Sequence, residues 1–132
     1  MEMSLKYGLN KIGLPIVVTE NKPNLCFLTD TGATNNILFS YSFVEVKDDF
    51  STINKISLLS GIDGIKSECC QVHGKIIIGN QNFDIDFSVV ETADSMKNIQ
   101  EETGIQVHGI LGIPFLIKSQ CILDFKELTI SN

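Results

Sequence analysis

The chain has 132 residues, of which 43% are hydrophobic, and this size and composition predict one domain with a modest core. Its formal net charge of −6 and the lack of any basic run argue against nucleic acid or another polyanion as a partner. The first residues do not resemble a signal peptide, and no apolar run is long enough to cross a bilayer. We therefore expect a cytoplasmic protein without membrane contacts.

The cysteines and histidines show no pattern typical of zinc binding. The residues concerned are Cys26, Cys69, Cys70, His73, His108 and Cys121. We expect reduced thiols, with Cys26 and Cys121 packed as small apolar residues, and surface or packed histidines. Neither a metal nor a cofactor is predicted.

The N-terminal part of the chain predicts a hairpin that ends at Asp30. Met1–Leu9 carries little pattern and could be a terminal strand or an ordered arm at an interface. Ile12–Thr19 predicts a strand, in which Pro15 favours an edge position. A polar turn then leads to the apolar strand Leu25–Thr29, which delivers Asp30.

The middle of the chain predicts further hairpins. Ile37–Val46 could be part strand and part short helix. Ile53–Leu59 and Ile65–Val72 predict strands joined by a turn at Ser60–Gly64, because Asp-Gly between apolar runs is a hairpin signal. Lys75–Val90 shows the clearest β pattern, with a turn at 79–82 followed by alternation of apolar and polar residues. The apolar residues of that alternation are Phe83, Ile85, Phe87 and Val89.

The C-terminal part predicts one helix without an alternative. Glu91–Gln106 is polar and fits a short surface helix or a loop, whereas residues 113–119 predict a helix with Pro114 in its first turn. Ile122–Ile130 predicts a final strand. Seven or eight strands without βαβ alternation predict an all-β, barrel-like single domain over residues 1–132.

Asp30 is the most unusual residue of the chain because it lies in a tight turn between two apolar runs, Leu25–Leu28 and Ile37–Phe39. Burying an isolated carboxylate is costly, which suggests a function for this one. Gly32 permits a sharp turn and close approach of another molecule, and the neighbouring threonines offer hydroxyls. Asp-Thr-Gly by itself is also a common turn sequence, so the tripeptide alone leaves both interpretations open.

Three segments together resemble the retropepsin-like aspartic peptidases, in family order and at compatible spacing over roughly Ile12–Ile130. Leu25–Ser40 resembles their Asp-Thr/Ser-Gly-Ala/Ser loop. His108–Leu116 resembles their two-hydrophobics-then-Gly motif and C-terminal helix, and Cys121–Phe125 is similar to the strand that follows. The resemblance implies a closed, barrel-like acid-protease fold with one short C-terminal helix.

The resemblance also implies roles for particular residues. The catalytic loop would be Asp30, Thr31 and Gly32. Ala33 and Thr34 would contact substrate. Ile110, Leu111 and Gly112 would support the loop from beneath. The chain departs from many viral enzymes at Thr34, where they carry a second Asp that binds the substrate backbone.

A hairpin at about residues 57–68 matches the position of the family's flap, which closes over bound peptide. Its substrate-binding residues would be Gly61, Ile62, Asp63 and Gly64. Without the resemblance, an ordinary hairpin turn explains these residues equally well.

Peptide hydrolysis by carboxylates needs two of them at one site, sharing one proton. The chain has one Asp-Thr-Gly, and Asp63, Asp84, Asp86 and Asp124 do not repeat its pattern. A homodimer axis through the loop would bring together Asp30 of each subunit. The resemblance implies the same arrangement.

Three hypotheses follow from the sequence. The favoured one is a homodimeric aspartic endopeptidase that acts on peptide or protein substrates. The second is a non-catalytic dimeric binding or assembly module that kept the fold, although two facing carboxylates would repel each other in a mere scaffold. The third is an unrelated β-barrel that binds a small ligand, with Asp30 as a turn residue.

Overall fold

The computed structural model describes residues 1–60 and 66–132, with side chains at 1–53 and 68–132. Its described part contains ten strands: β1 (Glu2–Ser4), β2 (Ile16–Val18), β3 (Cys26–Thr29), β4 (Ile37–Phe39), β5 (Phe50–Ser60), β6 (Lys66–Ile78), β7 (Gln81–Val90), β8 (Gly109–Leu111), β9 (Ile122–Asp124) and β10 (Thr129–Ser131). Short helices connect them: α1 (Lys6–Ile12), α2 (Ser40–Val46), a 3-10 turn (Lys47–Asp49), α3 (Asp94–Thr103) and α4 (Ile113–Lys118). The protein is therefore mostly β with a few short helices.

The strands form two sheets. A seven-stranded sheet has the order β2-β3-β8-β4-β7-β6-β5, and a three-stranded sheet has the order β1-β10-β9. All neighbours are antiparallel except β3–β8 and β4–β7, which are parallel. Neither sheet closes on itself within the described residues, so the closed barrel that we expected is not observed.

The described residues contain more helices than the one that the sequence predicted without an alternative. Helix α4 confirms the prediction at 113–119, and α2 and α3 confirm the helical alternatives for their segments. Helix α1 was missed, and the strand expected at Ile12–Thr19 begins only at Ile16 because Gly13 ends α1 in a left-handed conformation (φ 71°). No helix in the described ranges is long and apolar enough to cross a bilayer.

The chain end is a hairpin and not the single strand expected over Ile122–Ile130. The side chain of Asp124 accepts hydrogen bonds from the backbone N–H of Lys126 and of Glu127, both at 2.9 Å. This local bonding reverses the chain between β9 and β10. Strand β10 then pairs with β1 on its other side, which joins the two ends of the chain.

The long strands confirm the predicted hairpin pattern. Strands β6 and β7 join at Gly79 and Asn80, which both have positive φ (54° and 65°), as a two-residue hairpin turn requires. The alternation holds from Phe83 to Phe87, but Ser88 is also buried because β4 covers β7 there. Strands β5 and β6 pair as far as Ser60 and Lys66.

The predicted flap residues Gly61, Ile62, Asp63 and Gly64 lie outside the described residues.

An aromatic stack forms the centre of the core beneath the candidate site. The rings of Phe27 and Phe87 are stacked with centroids 5.4 Å apart, and Phe50 meets Phe87 edge-on at 5.8 Å. Phe27 is fully buried on β3, three residues before Asp30, and Leu111 on β8 is also fully buried. The strand that carries Asp30 is therefore anchored by its apolar side chains.

Candidate active site

The loop that carries Asp30 runs from β3 to β4, and β8 is inserted between these two strands. The backbone N–H of Asp30 donates to the carbonyl of Leu111 at 3.1 Å, and that of Thr29 donates to the carbonyl of Pro15 at 2.9 Å. The end of β3 is thus held from both sides. Asp30 itself is half-buried, whereas Thr31 and Gly32 are exposed.

Hydrogen bonds inside the loop engage the carboxylate and the backbone of Asp30. Its Oδ1 accepts the backbone N–H of Gly32 at 2.8 Å, and its backbone carbonyl accepts the N–H of Ala33 at 3.2 Å. The other carboxylate oxygen has no hydrogen-bond partner within the described chain. The arrangement leaves that oxygen able to accept a proton from a water.

Asn36 is the supporting residue that the sequence analysis missed. Its Oδ1 accepts the backbone N–H of Gly112 at 3.0 Å and of Phe115 at 3.3 Å, and so satisfies two donors at the start of α4. Its Nδ2 donates to the carbonyl of Asp86 at 3.4 Å. An Asn immediately before an apolar strand was the available signal, and the side chain is 7% exposed.

Gly112 lies in a space too small for a side chain. A Cβ placed on it would lie 2.7 Å from the carbonyl oxygen of Ala33 and would also meet the carbonyl of Asn35. The same Ala33 carbonyl accepts the N–H of Ile113 at 2.9 Å. The predicted motif Ile110-Leu111-Gly112 therefore lies directly against the Asp30 loop.

The two predicted substrate-binding residues of the loop differ in availability. Ala33 uses both its N–H and its carbonyl inside the site, so its backbone is engaged. Thr34 is exposed, and its hydroxyl accepts the side-chain amide of Asn35 at 3.4 Å. The side chain of Thr34 is therefore open to solvent at the site, whereas the backbone of Ala33 is occupied within it.

The other carboxylates considered in the sequence are engaged elsewhere. Asp86 contacts the ring of His73 at 2.6 Å, and Asp84 lies 4.0 Å from the same ring. Asp124 bonds its own turn. In the described residues no group of three or more His, Cys, Asp or Glu side chains could hold a metal ion.

His108 is buried and links the strands of the site. Its Nδ1 accepts the backbone N–H of Cys26 at 2.9 Å, and its carbonyl accepts that of Phe39 at 2.9 Å. Burial lowers the pKa of His108, and the negative charge of Glu45 opposes this only in part. The ring is therefore neutral near pH 7, as the hydrogen bond from Cys26 requires.

Two thiols pack against the apolar interior, Cys26 buried and Cys121 half-buried. Burial raises the pKa of Cys26 to about 11 and also raises the pKa of Cys121. Both are thiols outside any disulfide, packed as expected. The protonated form is a poor nucleophile, so the raised pKa disfavours a catalytic role for either thiol.

Replacing Asn36 by Ala should reduce the free energy of unfolding by about 1–3 kcal/mol, because two buried N–H donors would lose their acceptor. Asn35→Ala is the matched control and should cost less than about 0.5 kcal/mol, since its amide bonds only the neighbouring Thr34. Urea unfolding of the three proteins measures the difference. Equal losses for both variants would contradict the role assigned to Asn36.

Stability should decrease as the pH falls below about 6.5, because the unfolded chain then binds a proton that folded His108 resists. The contribution of the neutral ring is fully present above the unfolded pKa and is lost toward the lowered folded pKa. His108→Asn keeps an acceptor near the Nδ1 position but does not titrate. Urea unfolding between pH 5 and 8 should therefore show a shallower acid loss for this variant, and identical slopes would exclude the effect.

No protein-family model and no curated protein sequence matches the chain. Solved structures do match. EIAV protease, in complex with the inhibitor HBY-793, aligns with a TM-score of 0.64 at 18% identity, over 88% of this chain and 97% of that one.

Two cellular proteins have similar structures. A retropepsin-like aspartic protease from Rickettsia conorii aligns with a TM-score of 0.58 at 14% identity, over 98% of this chain and 87% of that one. The retroviral protease-like domain of Ddi1 from Leishmania major aligns with a TM-score of 0.58 at 15% identity, over 89% of this chain and 90% of that one. These likenesses exclude an unrelated barrel, and the chain has the retropepsin-like fold.

Proposed function

We propose that the protein is an aspartic endopeptidase, in which Asp30 from each of two identical chains activates a water that hydrolyses a peptide bond. The observation that carries the proposal is the position of Asp30: a half-buried carboxylate in a loop held at both ends by the backbone. The retropepsin-like fold and the resemblance of Leu25–Ser40 to the family's Asp-Thr/Ser-Gly-Ala/Ser loop support the proposal. The cytoplasm is its expected location.

The second carboxylate would come from a second copy of the chain. Asp84, Asp86 and Asp124 are engaged in other interactions in the described structure. In a dimer with a two-fold axis beside the loop, Asp30 of the second chain would face Asp30 of the first. The proposal therefore requires a homodimer.

The surface beside the loop suits such a dimer. A cavity of about 370 Å³ adjoins Thr31 and is lined mainly by apolar side chains of α4 and β9, including Leu116, Ile117 and Leu123. Ile117 on α4 is 70% exposed in one chain. Covering this apolar surface would favour association. The terminal strands β1 and β10, which pair within the chain, stay candidates for the interface.

The chemistry follows from two carboxylates that share one proton. The ionised one takes a proton from a water, whose oxygen attacks the carbonyl carbon of the scissile bond. The protonated one hydrogen-bonds to the carbonyl oxygen and stabilises the charge that develops there. The amine leaves with a proton, and no covalent enzyme intermediate forms. Thr34 and the predicted flap residues Gly61, Ile62, Asp63 and Gly64 are the proposed substrate contacts.

At high concentration the protein should sediment with about twice the 14.6 kDa mass of one chain. Ile117→Asp should shift it to monomer, because a charge would enter the apolar face. Val44→Asp is the control, since Val44 on α2 is equally exposed (68%) and lies on another helix. A monomer at every concentration would leave the second carboxylate unexplained and remove the proposed mechanism.

Asp30→Asn should reduce kcat/KM for peptide cleavage at least about a hundredfold, since Asn cannot act as a base and both subunits lose their carboxylate. Asn is nearly isosteric, so fold and dimer should persist. The assay is a mixed peptide library with parent and variant across pH, read by mass spectrometry. Equal cleavage by both proteins would exclude Asp30 as catalyst. A dimer without cleavage by either would favour the non-catalytic binding module.

A further inference from the structure

One side of β7 is only partly covered in the seven-stranded sheet. Strand β6 pairs with β7 along Gln81–Ser88, but β4, on the other side, pairs only with Ser88–Val90. The segment Gln81–Phe87 therefore has a backbone edge without a neighbouring strand in the described chain. An edge of this kind is a template for another strand.

The hydrogen bonds show which backbone groups face the open side. The N–H of Ser88 donates to the carbonyl of Asn36. The carbonyl of Asp84 accepts Lys118 Nζ at 3.2 Å, and that of Asp86 accepts Asn36 Nδ2 at 3.4 Å. Because groups alternate in direction along a strand, the N–H groups of Asn82, Asp84 and Asp86 also point to this side. They are three donors at a regular spacing.

A cavity of about 520 Å³ lies along this edge, and we call it the β7 groove. Its far wall is α4, with Pro114, Phe115 and Lys118. Asn35 lines it near the Ser88 end of β7, and Asn132 bonds Gln81 at the opposite end of the strand. Its volume is within the range of ligand clefts.

The groove is acidic on its solvent side. The side chains of Asp84 and Asp86 are 62% and 57% exposed, and they lie on one face of β7 because they are two residues apart. Both also approach the ring of His73, at 4.0 Å and 2.6 Å, and stay exposed beside it. Lys118 bonds the backbone and not the carboxylate of Asp84. A strand added beside β7 would place alternate side chains next to these carboxylates, and basic side chains would fit there.

We propose that the β7 groove binds an extended, basic segment of the substrate polypeptide as an additional strand, outside the cleft where the peptide bond is cut. The proposal rests on the proposed function, because the groove reaches Asn35 and so adjoins Thr34, a proposed substrate contact. Backbone pairing would supply affinity, and Asp84 and Asp86 would supply the preference for basic residues.

Binding is tested without catalysis on the Asp30→Asn protein, so an absence of cleavage does not affect the result. The probe is a blocked peptide of about eight residues that alternates valine and lysine. In NMR spectra the N–H groups of Asn82, Asp84 and Asp86 should shift and gain protection from hydrogen exchange. Those of Phe83 and Ile85, already bonded to β6, should change little. Shifts confined to other regions would overturn the proposal.

Further variants and peptides distinguish the contribution of charge to peptide binding from that of backbone pairing. Asp84→Asn with Asp86→Asn should weaken peptide binding about fivefold, while the matched pair Glu101→Gln with Glu102→Gln on exposed α3 should leave it unchanged. A valine–glutamate peptide should bind more weakly, and N-methylation of alternate peptide amides should abolish binding. Equal binding of the acidic peptide, or of the N-methylated one, would overturn the proposal.

Discussion

The structure depends on the insertion of β8 between the two strands that flank the Asp30 loop. Residues near the loop in the sequence do not supply its hydrogen-bond partners. The N–H of Asp30 donates to the carbonyl of Leu111, and the side chain of Asn36 accepts from Gly112, which lies 76 residues further along the chain. An isolated N-terminal hairpin would expose these groups. The site therefore forms only when segments far apart in the sequence come together. Bringing them together carries an entropic cost that the core must offset.

That insertion also explains why space is so limited around the loop. At Gly112 and at Gly109 the neighbouring backbone approaches so closely that a Cβ would collide with carbonyl groups of residues 33–37. Close backbone contact makes the loop stiff. The proposed pair of facing carboxylates would require such a loop, since their mutual repulsion would otherwise push the two loops apart.

The sequence predicted what depends on local pattern and missed what depends on distant pairing. The alternation in β7, the turn at Gly79, helix α4 and the exceptional position of Asp30 were readable because each signal lies within a few residues. The open sheets and the bonds of Asn36 were not readable. An Asn before an apolar strand is a local signal, but it does not show that the partners lie at Gly112. Helix α1 was missed because its seven residues include Gly8 and show no repeated pattern.

The buried His108 connects the fold to the proposed chemistry. Its ring accepts a hydrogen bond from Cys26, the first residue of the strand that ends at Asp30, and it can do so only when neutral. The proposed carboxylate pair would need one proton, whereas His108 must carry no proton on Nδ1 to accept the bond from Cys26. Acidification would therefore act twice, by removing the base from the pair and by breaking a bond that holds β3 to the start of β8. The proposed site would therefore lose activity and stability together as the pH falls.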